Sequence, residues 1–185
     1  MYRITSKKLE TRRLNGAVVV TIEYVDKVGR RVVVRRAKRS DIPEVVEIEE
    51  RAFPKSPYPT YVFLYNLSNN PEGFLVAEVG GKVVGYVIFE LRPWLGEGHI
   101  VSIAVHPNYR RTGIGTILMG EAERKIAEAG YETVRLEVRE SNFPARRFYE
   151  RLGYREERRE HGYYSDGETA IIMVKKLKSP IQYRQ

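Results

Sequence analysis

The sequence predicts an α+β domain in which one mixed β-sheet is flanked by helices. Short apolar runs with strand character recur near both ends of the chain. Between them lie segments whose apolar residues change to helical spacing. One long helical pattern separates the runs at 99–105 and 133–138, the arrangement of a helix-linked crossover between neighbouring strands. The 185 residues fit one domain of ordinary size, or one domain with a small appendage.

Taken in order, residues 1 to about 15 are polar and basic without clear period. Ala17–Val25 and Arg31–Arg35 read as strands, and Asp26-Lys27-Val28-Gly29 between them carries turn chemistry. From Asp41 the period changes: Ile42, Val45, Val46, Glu49 and Ala52 share a helical stripe, with Ser40 or Asp41 as the cap and Pro54 as the stop. A proline-rich loop, 53–59, precedes a short helix expected to carry Tyr61, Leu64 and Leu67 on one side. Phe74–Val79, Gly80-Gly81 and Val83–Leu91 form the clearest hairpin pattern in the chain. His99–Val105 is a continuous apolar run, as a strand buried on both faces requires. Ile114, Ile117, Leu118, Ala122, Ile126 and Ala129 then define a long helix closed by Gly130. Val134, Leu136 and Val138 alternate on one face of the next strand. A helix over 145–152, ended by Gly153, and strands over 154–159 and 170–177 complete the chain. Residues 1–30 are expected to be an extension lying as an extra strand on the sheet edge and taking no part in chemistry. The domain proper is placed at 31–178, with 179–185 as a tail.

The composition excludes several classes. Cysteine is absent, which removes disulfide scaffolds, thiolate metal sites and cysteine nucleophiles. Three histidines make a histidine-only metal site improbable, so no metal is expected. No apolar run approaches the roughly 18 residues of a membrane span, and the first residues hold no apolar signal core, so a cytoplasmic location is expected. The net charge of +8 favours anionic partners such as a phosphate-rich cofactor, nucleic acid or a ribosomal surface. That charge is diffuse, and no specific nucleic-acid site is expected. Abundant Glu, Lys and Arg with few Asn and Gln resemble a thermophile's composition.

The sharpest chemical feature is Arg110-Arg111-Thr112-Gly113-Ile114-Gly115-Thr116, set between the buried strand and the long helix. The two glycines allow close backbone approach, and the N–H groups at a helix start can cradle a phosphate. No Gly-Lys-Ser/Thr follows, so it is not a P-loop, and no third glycine follows for a dinucleotide fingerprint. On glycine spacing alone, an ordinary turn with solvated arginines is the better fit.

Arg110-x-x-Gly113-x-Gly115 after an apolar strand resembles the acetyl-CoA motif of the GNAT-fold N-acetyltransferases. Leu136-Glu137-Val138-Arg139, Ser141-Asn142, Phe148-Tyr149, Leu152-Gly153-Tyr154 and Tyr163-Tyr164-Ser165-Asp166-Gly167 narrow the likeness. Together these are similar to the N-terminal (Nα) acetyltransferases of the ribosomal-protein alanine type and its archaeal relatives, over roughly residues 31–177.

The resemblance implies acetyl transfer from acetyl-CoA to the free α-amine of protein N-termini by direct attack in a ternary complex. It places the pantetheine arm on Ile103, Ala104 and Val105, and the pyrophosphate on Arg110, Arg111, Thr112, Gly113, Ile114, Gly115 and Thr116. Asn142 and Tyr149 become further cofactor contacts. Glu137 is implied as general base, Tyr149 as the acid serving the departing thiolate, and His99 as a proton relay. Alternation alone favours Glu137 as a solvated carboxylate paired with Arg135 or Arg139, a reading that the match to Leu136-Glu137-Val138-Arg139 reverses, and a lone histidine at a strand start such as His99 is more often structural. His106 and His161 have no supporting pattern. Pro54, Tyr58, Tyr163 and Tyr164 are implied to line the peptide site. Lys55 stands where archaeal relatives tend to carry an acid. The expected partners are N-terminal peptides and the ribosome, with no membrane, and the chain is expected to be a monomer or weak homodimer. Two other functions stay open: acetylation of lysine side chains or small amines, and a basic RNA- or ribosome-binding module on a GNAT scaffold.

Overall fold

The structure is a computed structural model that describes residues 7–14 and 17–177. The chain divides into two compact units, Met1–Ile88 with Ser102–Ala122, and Phe89–Val101 with Glu123–Gln185.

The first unit contains β1 (Lys7–Leu14), β2 (Ala17–Val25), β3 (Arg31–Arg36), α1 (Ile42–Ala52), α2 (Thr60–Asn69) and β4 (Phe74–Val79). It also takes most of β5 (Lys82–Arg92), the end of β6 (Glu97–Val105) and the start of α3 (Ile114–Glu128). Its strands lie in the order β1-β2-β3-β4-β5, with antiparallel pairing from β1 through β5. The extra N-terminal strand is present as β2, with Ile22 opposite Val34 of β3. A further strand, β1, lies outside it. The sequence pattern missed β1 because Lys7–Leu14 reads KKLETRRL, and that charge breaks any clean apolar alternation. The Gly80-Gly81 hairpin forms as expected, both residues at positive φ (59° and 82°), the backbone a two-residue turn demands.

Alternation aims the core. Ile22 and Tyr24 on β2, Val32 and Val34 on β3, Phe74–Ala77 on β4 and residues 83–89 on β5 are buried. Phe63, Phe74 and Tyr86 meet edge-on or tilted, with ring centres 5.6–6.3 Å apart. Phe63, fully buried, is the residue with which α2 faces the core, whereas Tyr61 is 70% exposed, so the face expected from Tyr61, Leu64 and Leu67 is rotated. On α1 the buried residues are Ile42, Val45, Ile48 and Glu49.

The second unit contains the end of β5, the start of β6, the end of α3, β7 (Thr133–Arg139), α4 (Phe143–Arg151), β8 (Arg155–Glu160) and β9 (Ala170–Lys176). Its strand order is β6-β7-β9-β8. β6 runs parallel to β7 as the crossover requires, pairing Gly98 with Val134, His99 with Arg135 and Ile100 with Leu136. β8 closes this side, with Arg155–Arg159 exposed and Glu160 half-covered. Among the described residues no helix is long and apolar enough to cross a membrane.

Gly98 marks a tight contact. A Cβ there would sit 2.5 Å from Cγ2 of Ile126 on α3, nearer than packed carbons approach. Gly98→Ala is expected to cost about 1–3 kcal/mol by overpacking. Ile126→Val should recover part of this in the double variant. Urea midpoints of the four proteins check it, and strict additivity would mean that the contact is not the cause.

Candidate active site

The loop after β6 is shaped by its own polar groups. His106 Nδ1 accepts the Asn108 N–H at 3.3 Å, which gives this histidine a capping role. Burial, followed by the charge of Arg51, holds its pKa below the usual histidine value, consistent with an accepting nitrogen. Arg110 Nε donates to the Val105 carbonyl at 3.1 Å, and Thr112 Oγ1 donates to Tyr109 O at 2.7 Å. Arg111 has φ +63°, the one positive φ among the described non-glycine residues, and Gly113 has +97°. Such a sequence of turns aims successive N–H groups to one side. The backbone N–H of Ile117 bonds to Gly113 O at 3.0 Å, so the N–H groups before it lie at the helix start, where no intrahelical acceptor exists. Positive φ, arginine charge and unclaimed donors together fit a pyrophosphate. Ile103 and Val105 are half-exposed and Ala104 is buried, so part of the strand end stays open.

The first unit also holds a polar cluster that the sequence reading passed over. Glu49 is 1% exposed on α1. Its Oε1 accepts the Tyr58 N–H at 2.8 Å, and Oε2 accepts the Tyr86 hydroxyl, which lies 2.9 Å from Ser102 Oγ. Burial pushes the Glu49 carboxyl up, partly offset by the bonds from Tyr86 and Tyr58. The signal was available: Glu49 lies on the apolar stripe of its helix, where an unpaired acid would be costly. Through Tyr58 it fastens the loop that carries Pro54 and Tyr58, whose own side chains are exposed, as is Lys55.

In the second unit, β7 and β6 place Glu137 and His99 together. His99 Nε2 lies 2.5 Å from Glu137 Oε2. Arg92 Nη2 lies 2.8 Å from His99 Nδ1, and Arg92 Nε donates to Glu90 Oε1 at 2.8 Å. A guanidinium can only donate, so Nδ1 accepts, Nε2 carries the proton, and His99 donates to Glu137. Burial raises the Glu137 carboxyl; the His99 hydrogen bond, then the charges of Arg92 and Arg135, outweigh it and hold the group below the usual glutamate value. The arginines beside it in sequence are engaged elsewhere. Arg135 binds Glu97 and Glu157, and Arg139 binds Asp166 and Glu168. Among the described residues, Glu137 Oε1 accepts no hydrogen bond.

Asn142 caps α4, its Oδ1 accepting the Ala145 N–H at 3.2 Å. Tyr149 is buried against Phe148 and Tyr154, with ring centres 5.3 and 5.9 Å away. Burial raises its hydroxyl well above the ordinary tyrosine value, so it stays protonated at any physiological pH. Tyr163 and Tyr164 meet edge-on at 5.1 Å, and the Arg139 guanidinium covers the Tyr164 ring at 3.9 Å. His161, without a sequence pattern, lies 3.1 Å from Thr169 Oγ1 on the exposed surface.

Residues 42–154 match the Acetyltransferase (GNAT) family. The chain is 46% identical over 148 residues to an uncharacterized N-acetyltransferase of Methanocaldococcus jannaschii, covering 78% of this chain and 92% of that protein. It is 38% identical over 162 residues to an N-alpha-acetyltransferase of Sulfurisphaera tokodaii, covering 82% and 96%. The crystal structure of the ribosomal-protein-S18-alanine N-acetyltransferase from Escherichia coli superposes with a TM-score of 0.69 at 30% identity, covering 83% of this chain and 99% of that one.

Proposed function

The chain belongs to the GNAT acetyltransferase family, and from that premise we propose that it acetylates the free α-amino group of protein N-termini, ribosomal or otherwise cytoplasmic, using acetyl-CoA. Acetyl-CoA supplies the activated acyl group and a thiolate leaving group. The Arg110–Thr116 loop would hold its pyrophosphate, and the open backbone of β6 from Ile103 to Val105 would pair with its pantetheine arm and polarise the carbonyl.

The observation that carries the α-amine is the state of Glu137. His99 keeps this carboxylate ionised, and Oε1 is left to take a proton directly or through one water. So weak a base suits the less basic amine. An α-ammonium has a pKa of about 7.7–8.0 and a lysine ammonium about 10.4, a difference of ~2.5 units, or ~3 kcal/mol in the cost of deprotonation. His99 has both ring nitrogens engaged and fixes the orientation of Glu137, which supports a positioning role beside the relay implied by the resemblance. Tyr149, held protonated by burial, is the donor to the departing sulfur.

The deciding assay is acetyl transfer to peptides beginning Ser, Ala, Thr, Met-Leu and Met-Glu, set against N-blocked twins that carry lysine. Transfer to the free N-termini alone is expected, and equal transfer to the blocked twins would overturn the reading. Tyr149→Phe is expected to lower kcat about 10–100-fold with acetyl-CoA affinity unchanged, because the hydroxyl acts on the leaving group. An unchanged kcat would remove Tyr149 from the chemistry.

A further inference from the structure

The turn joining β2 to β3 lies against the loop assigned to the pyrophosphate, and its residues fall outside the family match, which begins at residue 42. The backbone N–H of Lys27 donates to the Thr112 carbonyl at 2.8 Å. The Lys27 side chain runs over Gly113, its Cγ, Cε and Cδ lying 3.4, 3.7 and 3.9 Å from the position a Cβ on that glycine would take. Arg30 stacks on Tyr109, with its guanidinium carbon 4.8 Å from the ring centre. Asp26 fixes the shape of the turn: its covered carboxylate accepts the N–H groups of Val28 and Arg30 at 3.0 and 2.9 Å, and Arg30 Nε at 2.8 Å. Further along, the Tyr24 hydroxyl reaches Glu121 of α3.

We propose that this turn belongs to the acetyl-CoA-binding apparatus, with Lys27 giving a cationic contact to a phosphate of the cofactor and its backbone N–H holding the loop in receptive shape. The proposal rests on the placement of acetyl-CoA at the 110–116 loop. A backbone bond to Thr112 acts on the residue between the two positive-φ positions, Arg111 and Gly113, where the loop is least favoured by local energetics. The absence of a Cβ on Gly113 lets the lysine stem cross the loop closely. That stem carries its ammonium, a compact point charge, to the same loop whose N–H groups would meet the pyrophosphate. The N-terminal extension, expected from sequence to stand apart from the chemistry, thereby becomes part of the binding site.

Lys27→Met keeps the stem over Gly113 and removes only the charge. It is expected to weaken acetyl-CoA binding about 5–30-fold by calorimetry, to lower the salt dependence of binding, and to leave turnover on S-acetylpantetheine, which has no phosphate, unchanged. Lys27→Arg should restore most of the affinity. With acetyl-dephospho-CoA, a loss that persists assigns the contact to the pyrophosphate, and one that vanishes assigns it to the 3′-phosphate. Asp26→Ala, checked for an unchanged fold by circular dichroism, should weaken acetyl-CoA binding by loosening the turn. If Lys27→Met binds acetyl-CoA within twofold of wild type, or weakens acetyl-CoA and S-acetylpantetheine alike, the proposal falls. Gly115→Val tests the premise separately. Unaltered binding there would remove the cofactor from this loop altogether, whereas lost binding there with an inert Lys27→Met would overturn only the role of the turn.

Discussion

Glu137→Gln will lower acetyl transfer about 10²–10⁴-fold while acetyl-CoA binds as before. The amide keeps the size of the carboxylate and can still accept the His99 N–H, so the 2.5 Å contact survives in kind while proton acceptance is lost. The defect should shrink as pH rises, because the substrate amine then deprotonates unaided. His99→Ala should cost less at pH 7 and follow the same trend. Stability should respond in the opposite corner of the pH scale. The native pKa of Glu137 is lowered, so its stabilising contribution is present above the unfolded glutamate value and is lost as pH falls through the native one. The Gln variant should lack that acid-side loss. A normal rate for Glu137→Gln beside a dead His99→Ala would make the histidine the base.

Glu49→Ala is expected to destabilise the protein by about 2–4 kcal/mol, with Glu49→Gln within about 1 kcal/mol of wild type. Alanine strands the Tyr58 N–H and opens a hole beside α1, while Tyr86 keeps only Ser102. Glutamine can satisfy every group. Its carbonyl accepts the Tyr58 N–H, and its amide donates to Tyr86, which turns its own proton toward Ser102. The pH dependence has a definite sign. Burial raises the native pKa of Glu49, so wild type loses stability as pH climbs from the unfolded glutamate value through the raised native one. The Gln variant should therefore gain on wild type between acid and neutral pH, read as urea midpoints at both. If Gln proves as damaging as Ala, the charge itself holds the cluster.

Both predictions turn on contacts that the sequence shows unequally. Gly80-Gly81, the apolar run of β6 and the stripe of α3 were legible because each encodes its conformation locally. The phosphate loop was legible for the same reason: its glycines and arginines are adjacent. The partner of Glu137 was not, because His99 is 38 positions away and only the parallel β6–β7 register brings it close. Glu49 was read as one more member of a helical stripe, although its charge on that stripe was the clue. Tyr61 was placed on one side with Leu64 and Leu67 by helical spacing alone. The neighbouring Phe63 has no hydroxyl to leave unpaired and took the buried position instead. The contact of Lys27 with Thr112 runs through backbone atoms, which no side-chain pattern records.

The charged strand β8 bears on how the protein behaves when crowded. A strand at the end of a sheet offers an unsatisfied row of N–H and C=O groups on which another chain can grow. Here any such chain would settle along Arg155-Glu156-Glu157-Arg158-Arg159-Glu160. Arg158 is already paired with Glu160, and Arg159 with Glu156 and Glu140, at 2.6–2.8 Å. An apolar newcomer would have to desolvate this lattice of opposite charges and would bury little oily surface in return. This flank therefore resists fibre-like stacking at high concentration, and its resistance should weaken on warming, since charged groups become cheaper to dehydrate as temperature rises.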